Sequence, residues 1–145
     1  MSTKPVMAAA PENSPIGKLS IALWVVQFVL AAVFAMAGLP KVSASMAEVA
    51  QKFPPMAQFP EALIRFIGIA ELAGALGLVL PAITRVMPNL VPLAGIGLAL
   101  VMLLALGFHA SRSEFQALPT NIILGGLALF VSWGRFRKAP IPPRA

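Results

Sequence analysis

Among the polar side chains within or at the ends of long apolar runs in this sequence, five could share one site: Lys41, Arg65, Glu71, His109 and Asn121. Glu71 is the most telling. It stands near the middle of residues 62–80, a segment of Ile, Ala, Leu, Gly, Val and Phe with one early arginine. A segment of this kind crosses a bilayer, because roughly 20 residues at ~1.5 Å rise each span the hydrocarbon. A carboxylate at that depth costs on the order of 2.5–3.5 kcal/mol on insertion scales unless a proton or a cation neutralises it. A protonatable carboxyl, an imidazole and a guanidinium around an apolar cavity suit a quinone headgroup or a proton relay. Plainer readings stand beside that one. Glu71 would be structural glue, paired with Arg65 or capping a broken backbone, His109 would be hydrogen-bonded or snorkelling at the interface, and Lys41 and Arg112 would meet lipid phosphates.

The elements that must hold these groups follow from composition and periodicity. The chain has 145 residues, 59% of them hydrophobic and only 11% charged, against roughly 25% charged in soluble domains. Four apolar runs account for the excess, at residues 19–39, 62–80, 90–110 and 119–135. The first is longer than the roughly 7–15-residue core of a secretion signal, so it reads as an uncleaved helix. Between the first two, Val42, Met46, Val49 and Phe53 recur at helical spacing among polar residues, the pattern of a helix lying in the membrane interface. The expected fold is all-α: four transmembrane helices in an antiparallel bundle over residues 17–137, with a short interfacial amphipathic helix between helices 1 and 2. Residues 1–16 read as a disordered tail and residues 138–145 as a Pro-rich, extended one.

Composition also excludes chemistry. The chain has no cysteine, which removes disulfides, thiol nucleophiles and cysteine-ligated metal. A single histidine rules out two-histidine haem ligation within one copy, and no metal site is expected. The net charge of +6 reads as membrane topology and not as nucleic-acid binding, since the basic residues cluster at the ends of apolar runs. Four spans place Lys4, Lys18, Arg85, Arg135, Arg137, Lys138 and Arg144 on the side of the termini, and Lys41, Lys52, Arg65 and Arg112 on the other. That excess puts both termini in the cytoplasm. Arg135 and Arg137 are expected to snorkel to the surface and lengthen the short fourth span.

Each span then contributes a polar group to the outer half, with Glu71 deepest, and the cytoplasmic half holds nothing comparable. Gly68, Glu71 and Ala75 share one stripe of the second span. Gly95, Ala99, Met102, Leu106 and His109 share one stripe of the third. Small residues mark helix–helix faces, so Glu71 and His109 are expected to look into the bundle.

The string Phe34-x-x-Ala37-Gly38-x-x-Lys41, followed by Arg65-x-Ile67-Gly68-x-x-Glu71-x-x-Gly74-Ala75-x-Gly77-Leu78-x-Leu80-Pro81, then His109, Asn121 and Gly134-Arg135, resembles the DoxX-like membrane protein family over roughly residues 19–137. The resemblance implies a four-helix bundle in a bacterial inner membrane. Some members serve as membrane subunits of thiosulfate:quinone oxidoreductases, and others are thought to assist redox or stress-response partners. The expectation is an accessory membrane subunit linked to an oxidoreductase, not a stand-alone catalyst. Its outer-half polar pocket, built from Glu71, Arg65, His109, Asn121 and Lys41, would take a quinone- or lipid-like ligand, bound non-covalently. Partners would be membrane lipids and a protein of a membrane complex, with no nucleic acid. The rival reading is a structural or assembly subunit without ligand chemistry; a small transporter or proton pathway ranks behind it, for want of polar groups in the cytoplasmic half and of an inverted repeat.

Overall fold

The computed structural model describes residues 15–145, with side chains placed from residue 17 onward. The tail expected to be disordered lies, apart from its last two residues, outside the described residues. Helices α1 (Pro15–Ser43), α2 (Met46–Lys52), α3 (Glu61–Thr84), α4 (Leu90–Ser111) and α5 (Leu118–Trp133) follow in order. Tight turns at Pro54–Gln58 and Phe115–Ala117 precede α3 and α5, and a π-helical turn, Gly134–Lys138, follows α5. Four segments are long and apolar enough to cross a membrane: Gly17–Ser43, Glu61–Thr84, Leu90–Ser111 and Phe115–Lys138. Helix α5 alone, with 16 residues, would be about 24 Å long, less than a bilayer's hydrocarbon. The flanking turns supply the missing length.

The bundle closes with α1 against α3, α3 against α4, α4 against α5 and α5 back against α1. Leu23, Gln27, Leu30, Phe34, Gly38 and Lys41 are the buried positions of α1; Ile64, Gly68, Glu71, Ala75, Leu78 and Ala82 are among those of α3. Both sets advance in steps of three and four, the spacing that lets two antiparallel helices lie side by side at a shallow angle of about 20°. The outward positions are just as apolar: Ile21, Val25 and Val29 on α1, Phe66 and Ile69 on α3, and Leu103 and Leu104 on α4 are exposed. Only lipid solvates such a surface without penalty.

Glycine sets the closest approach. A β-carbon at Gly38 would lie 2.9 Å from the carbonyl oxygen of Gly68, and one at Gly68 would lie 2.7 Å from Lys41 Cβ. Helices α1 and α3 therefore touch backbone to backbone here. Gly74 and Gly77 likewise face Leu98 and Ala94 of α4, so they serve contacts inside the bundle.

Two prolines that look like helix ends are carried inside helices. Pro40 lies within α1, which runs on to Ser43, and Pro81 lies within α3, which runs on to Thr84. Each removes one donor and leaves one carbonyl without its usual partner. Val42 accordingly belongs to α1, and α2 starts at Met46. Its start is fixed by Ser45: Glu48 N–H donates to Ser45 Oγ, and Ser45 N–H donates back to the Glu48 carboxylate at 2.9 Å, a reciprocal cap. The Ser45 N–H and the Ser45 hydroxyl, which donates to Glu48 Oε2 at 2.8 Å, hold the Glu48 carboxyl below the usual carboxylate range. At the other face of the molecule Arg85 ends α3 with φ of 60°, a left-handed position that glycine usually takes. Here the C-terminal residues fold back on it: Arg144 N–H donates to the Arg85 carbonyl at 2.9 Å, and Arg85 Nε donates to Pro142.

Candidate functional site

Glu71 is buried on α3, and its partner is Lys41. Lys41 Nζ donates to Glu71 Oε2 at 2.7 Å, with the two side chains only 4% and 5% exposed. The sequence placed Lys41 in one polar cluster with Glu71, with lipid phosphate as the plainer partner for Lys41, but pointed to Arg65 or His109 as the neighbour of Glu71. The register of α1 on α3 decides otherwise. Side chains in a helix lean toward its N-terminus. Because the helices are antiparallel, Lys41 leans down toward the Gly38 level and Glu71 leans up toward the Gly68 level. The two glycines leave room for the charged groups to meet.

Arg65 does a different job one turn nearer the surface. Its guanidinium donates to the carbonyls of Lys41 and Ala44, each at 2.9 Å, and pairs with Glu61 at 3.0 Å. The last turn of a helix lacks donors for its carbonyls and carries partial negative charge. Arg65 supplies both a donor and a positive charge, which lets α1 continue past Pro40. Above them, Phe53 places its ring 4.5 Å from Lys41 Nζ, and Val49 of α2 is buried. The amphipathic helix thus covers the ion pair.

His109 and Asn121 lie elsewhere. His109 Nδ1 is 2.7 Å from Glu114 Oε2, Arg112 Nε donates to Glu114 Oε1 at 2.8 Å, and Arg112 also donates to Gln58 Oε1 at 2.6 Å. Arg112 first, then His109, holds the Glu114 carboxyl below the usual range by hydrogen bonding. The rings of Phe108 and Phe59 meet at a tilt of 48° with centroids 4.8 Å apart. This network ties the 54–58 turn to the loop after α4. Asn121 Nδ2 is buried without a hydrogen-bond partner. Among the described residues no hydrogen bond joins His109 or Asn121 to Glu71.

The half of the bundle near the termini was expected to lack polar groups. It contains a second buried cluster. Arg135 does not snorkel: it turns inward and is 4% exposed. Its Nε donates to Gln27 Oε1 at 2.7 Å, its NH1 donates to the Ala139 carbonyl at 3.1 Å, and its guanidinium stacks over Trp24 at 5.2 Å. Gln27 Nε2 donates in turn to the Leu78 carbonyl at 2.7 Å, next to the carbonyl of Gly77 that Pro81 leaves unpaired. Nearby, Ser132 Oγ donates to the Pro92 carbonyl at 2.9 Å. Arg135 follows the buried Ala128 by seven residues and the buried Ser132 by three, so the helical period carries it inward while Arg137 stays exposed. Gln27 had a legible signal: it continues the Leu23–Leu30–Phe34 face of α1.

Three surface grooves accompany these clusters. One, of about 410 Å³, runs between α3 and α4 and is lined by small residues including Ala70, Gly74, Ala94 and Gly97. A second, of about 550 Å³, is lined by Pro55, His109, Ser113, Glu114 and Phe115. A third, of about 390 Å³, lies beside α2 at Pro40, Ala44 and Glu48. Glu71 and Lys41 line none of them. Among the described residues no three His, Asp or Glu side chains gather in a way that could hold a metal ion.

A bundle of four membrane-length helices, pinned by a buried Lys–Glu pair, defines a multi-pass membrane protein. The model of the DoxX-like family matches residues 25–131, well over half of the chain, and the protein belongs to that family. A search of curated proteins and one of solved structures returned no match.

Proposed function

We propose that this protein is an accessory subunit of a membrane redox assembly, set in a bacterial inner membrane with both termini in the cytoplasm. It joins its partner through the groove between α3 and α4 and carries a quinone- or lipid-like ligand at its outer polar face. The observation that supports this most is the groove itself. Gly97 lines it, and a β-carbon there would meet nothing within 4 Å. A small, unfilled position on the lipid-facing side lets a second helix approach closely. The buried charges favour the same reading, because Glu71 is bound to Lys41 and closed off by Phe53 and so is not a free acid or base. The redox link rests on the family's known members, and the orientation rests on the excess of basic residues on the termini side.

The test is mild solubilisation of native membranes, affinity capture of the full chain, and mass spectrometry of proteins and lipids. The expected result is an oxidoreductase subunit recovered in fixed ratio, lost in Gly97→Leu while the bundle keeps its helicity. Recovery of the chain with bulk lipid only, or an unchanged partner ratio in Gly97→Leu, overturns the reading.

A further inference from the structure

We propose that His109 and Glu114 form a binding site for an amphiphile whose headgroup carries a hydroxyl, with His109 Nε2 accepting its hydrogen. The inference deepens the ligand half of the reading above and is independent of its partner half. His109 Nδ1 faces the Glu114 carboxylate at 2.7 Å, and Arg112 holds the other carboxylate oxygen at 2.8 Å. A carboxylate in that place accepts, so the neutral ring keeps its proton on Nδ1 and leaves a lone pair on Nε2. Hydrogen bonding of one ring nitrogen to a carboxylate also makes the other a stronger acceptor. No described residue hydrogen-bonds Nε2.

The surroundings fit an occupant drawn from the bilayer. The ring lines the groove of about 550 Å³ with Pro55, Ser113 and Phe115. The groove lies where two membrane-length helices end, at the depth of lipid headgroups. Phe115, at its edge, is 64% exposed, an apolar surface that an alkyl chain would cover. The site is held before anything binds, because Arg112 bridges to Gln58 and the ring of Phe108 packs at a tilt against Phe59. Rigid sites lose little entropy on binding.

An acceptor selects donors. A quinol presents phenolic hydroxyls and phosphatidylglycerol presents glycerol hydroxyls; a fully oxidised quinone presents carbonyls, which only accept. The site therefore prefers the reduced form of a quinone couple.

The chain has one histidine, so its imidazole nitrogens can be followed individually by ¹⁵N NMR. Full chain in phosphatidylcholine nanodiscs at mildly alkaline pH would be titrated with a short-chain ubiquinol, its quinone and phosphatidylglycerol. Either hydroxyl probe should move the Nε2 resonance while Nδ1 stays, and whichever does so at lower concentration identifies the source. The quinone should leave Nε2 in place. Calorimetry on His109→Asn, whose amide nitrogen keeps the bond to Glu114 but lacks Nε2, should give about tenfold weaker binding, the loss of one hydrogen bond. An Nε2 resonance indifferent to both hydroxyl probes, equal binding of quinone and quinol, or unchanged affinity in His109→Asn sinks the proposal. None of these outcomes bears on whether a protein partner is recovered with the chain.

Discussion

Lys41 and Glu71 reach each other across the α1–α3 seam at 2.7 Å, each leaning toward the start of its own helix. The pair is buried, with the Gly38 and Gly68 backbone beside it and the Phe53 ring over Lys41 Nζ. Two charges in such a place are neutral together and costly apart.

Removing one charge should therefore hurt more than removing both. Lys41→Met leaves Glu71 buried without its cation and should cost about 3–5 kcal/mol. Lys41→Met with Glu71→Met replaces the pair by apolar groups of similar length and should recover most of that loss. Thermal unfolding in nanodiscs measures both. A double variant as unstable as Lys41→Met alone would show that the pair is not the unit of stability.

How much of this was legible in the sequence depends on the residue. The four spans, the interfacial helix and the depth of Glu71 follow from runs, periods and prolines, because each is a local property of the chain. The partner of Glu71 is not local. Gly38-x-x-Lys41 and Gly68-x-x-Glu71 share one spacing, and that shared spacing was the available signal, but only the packing of glycine on glycine turns it into a register. Arg135 misled for a similar reason. A basic residue just past an apolar run normally points to the surface, and here the helical stripe through Ala128 and Ser132 carries it inward. Gln27 lies on the core face of α1, but its partners, Arg135 and the Leu78 carbonyl, are distant in sequence.

Arg135 should resist conservative replacement. Its Nε and NH1 bond separate acceptors, Gln27 and the Ala139 carbonyl, while a lysine offers one compact ammonium. Arg135→Lys should lose about 1–3 kcal/mol, the penalty for buried acceptors left without donors. Because the guanidinium stacks on Trp24, the emission of Trp24 in a Trp133→Phe background should shift as well. Full stability and unchanged emission in Arg135→Lys would mean that the cluster is not specific to a guanidinium.

The loop after α4 should weaken in acid. Bonds from Arg112 and His109 hold Glu114 below the usual carboxylate range. A carboxyl with a lowered value in the folded state contributes stability that is complete above its unfolded value, about 4.3, and is lost as pH falls through the folded value. Hydrogen-exchange protection at residues 109–117, corrected for the intrinsic pH dependence of amide exchange, should be constant near neutral pH and fall below about pH 4. Glu114→Gln should exchange faster at neutral pH and lose that dependence; an acid response surviving in this variant would place its origin elsewhere.

The two buried polar clusters lie near opposite ends of the same seam. Lys41 and Arg65 fasten α1 to α3 at one end, and Gln27 fastens α1 to the Leu78 carbonyl at the other. A slide of one helix past the other by a single turn, about 5.4 Å, would break both fastenings at once. Axial shear of α1 against α3 is thus locked, and the pair moves as one rigid beam. Ser132 and the close approach of Gly95 to Ala128 fasten α4 to α5 in the same way, so any rocking of the bundle in the bilayer falls to the seams between these two helix pairs.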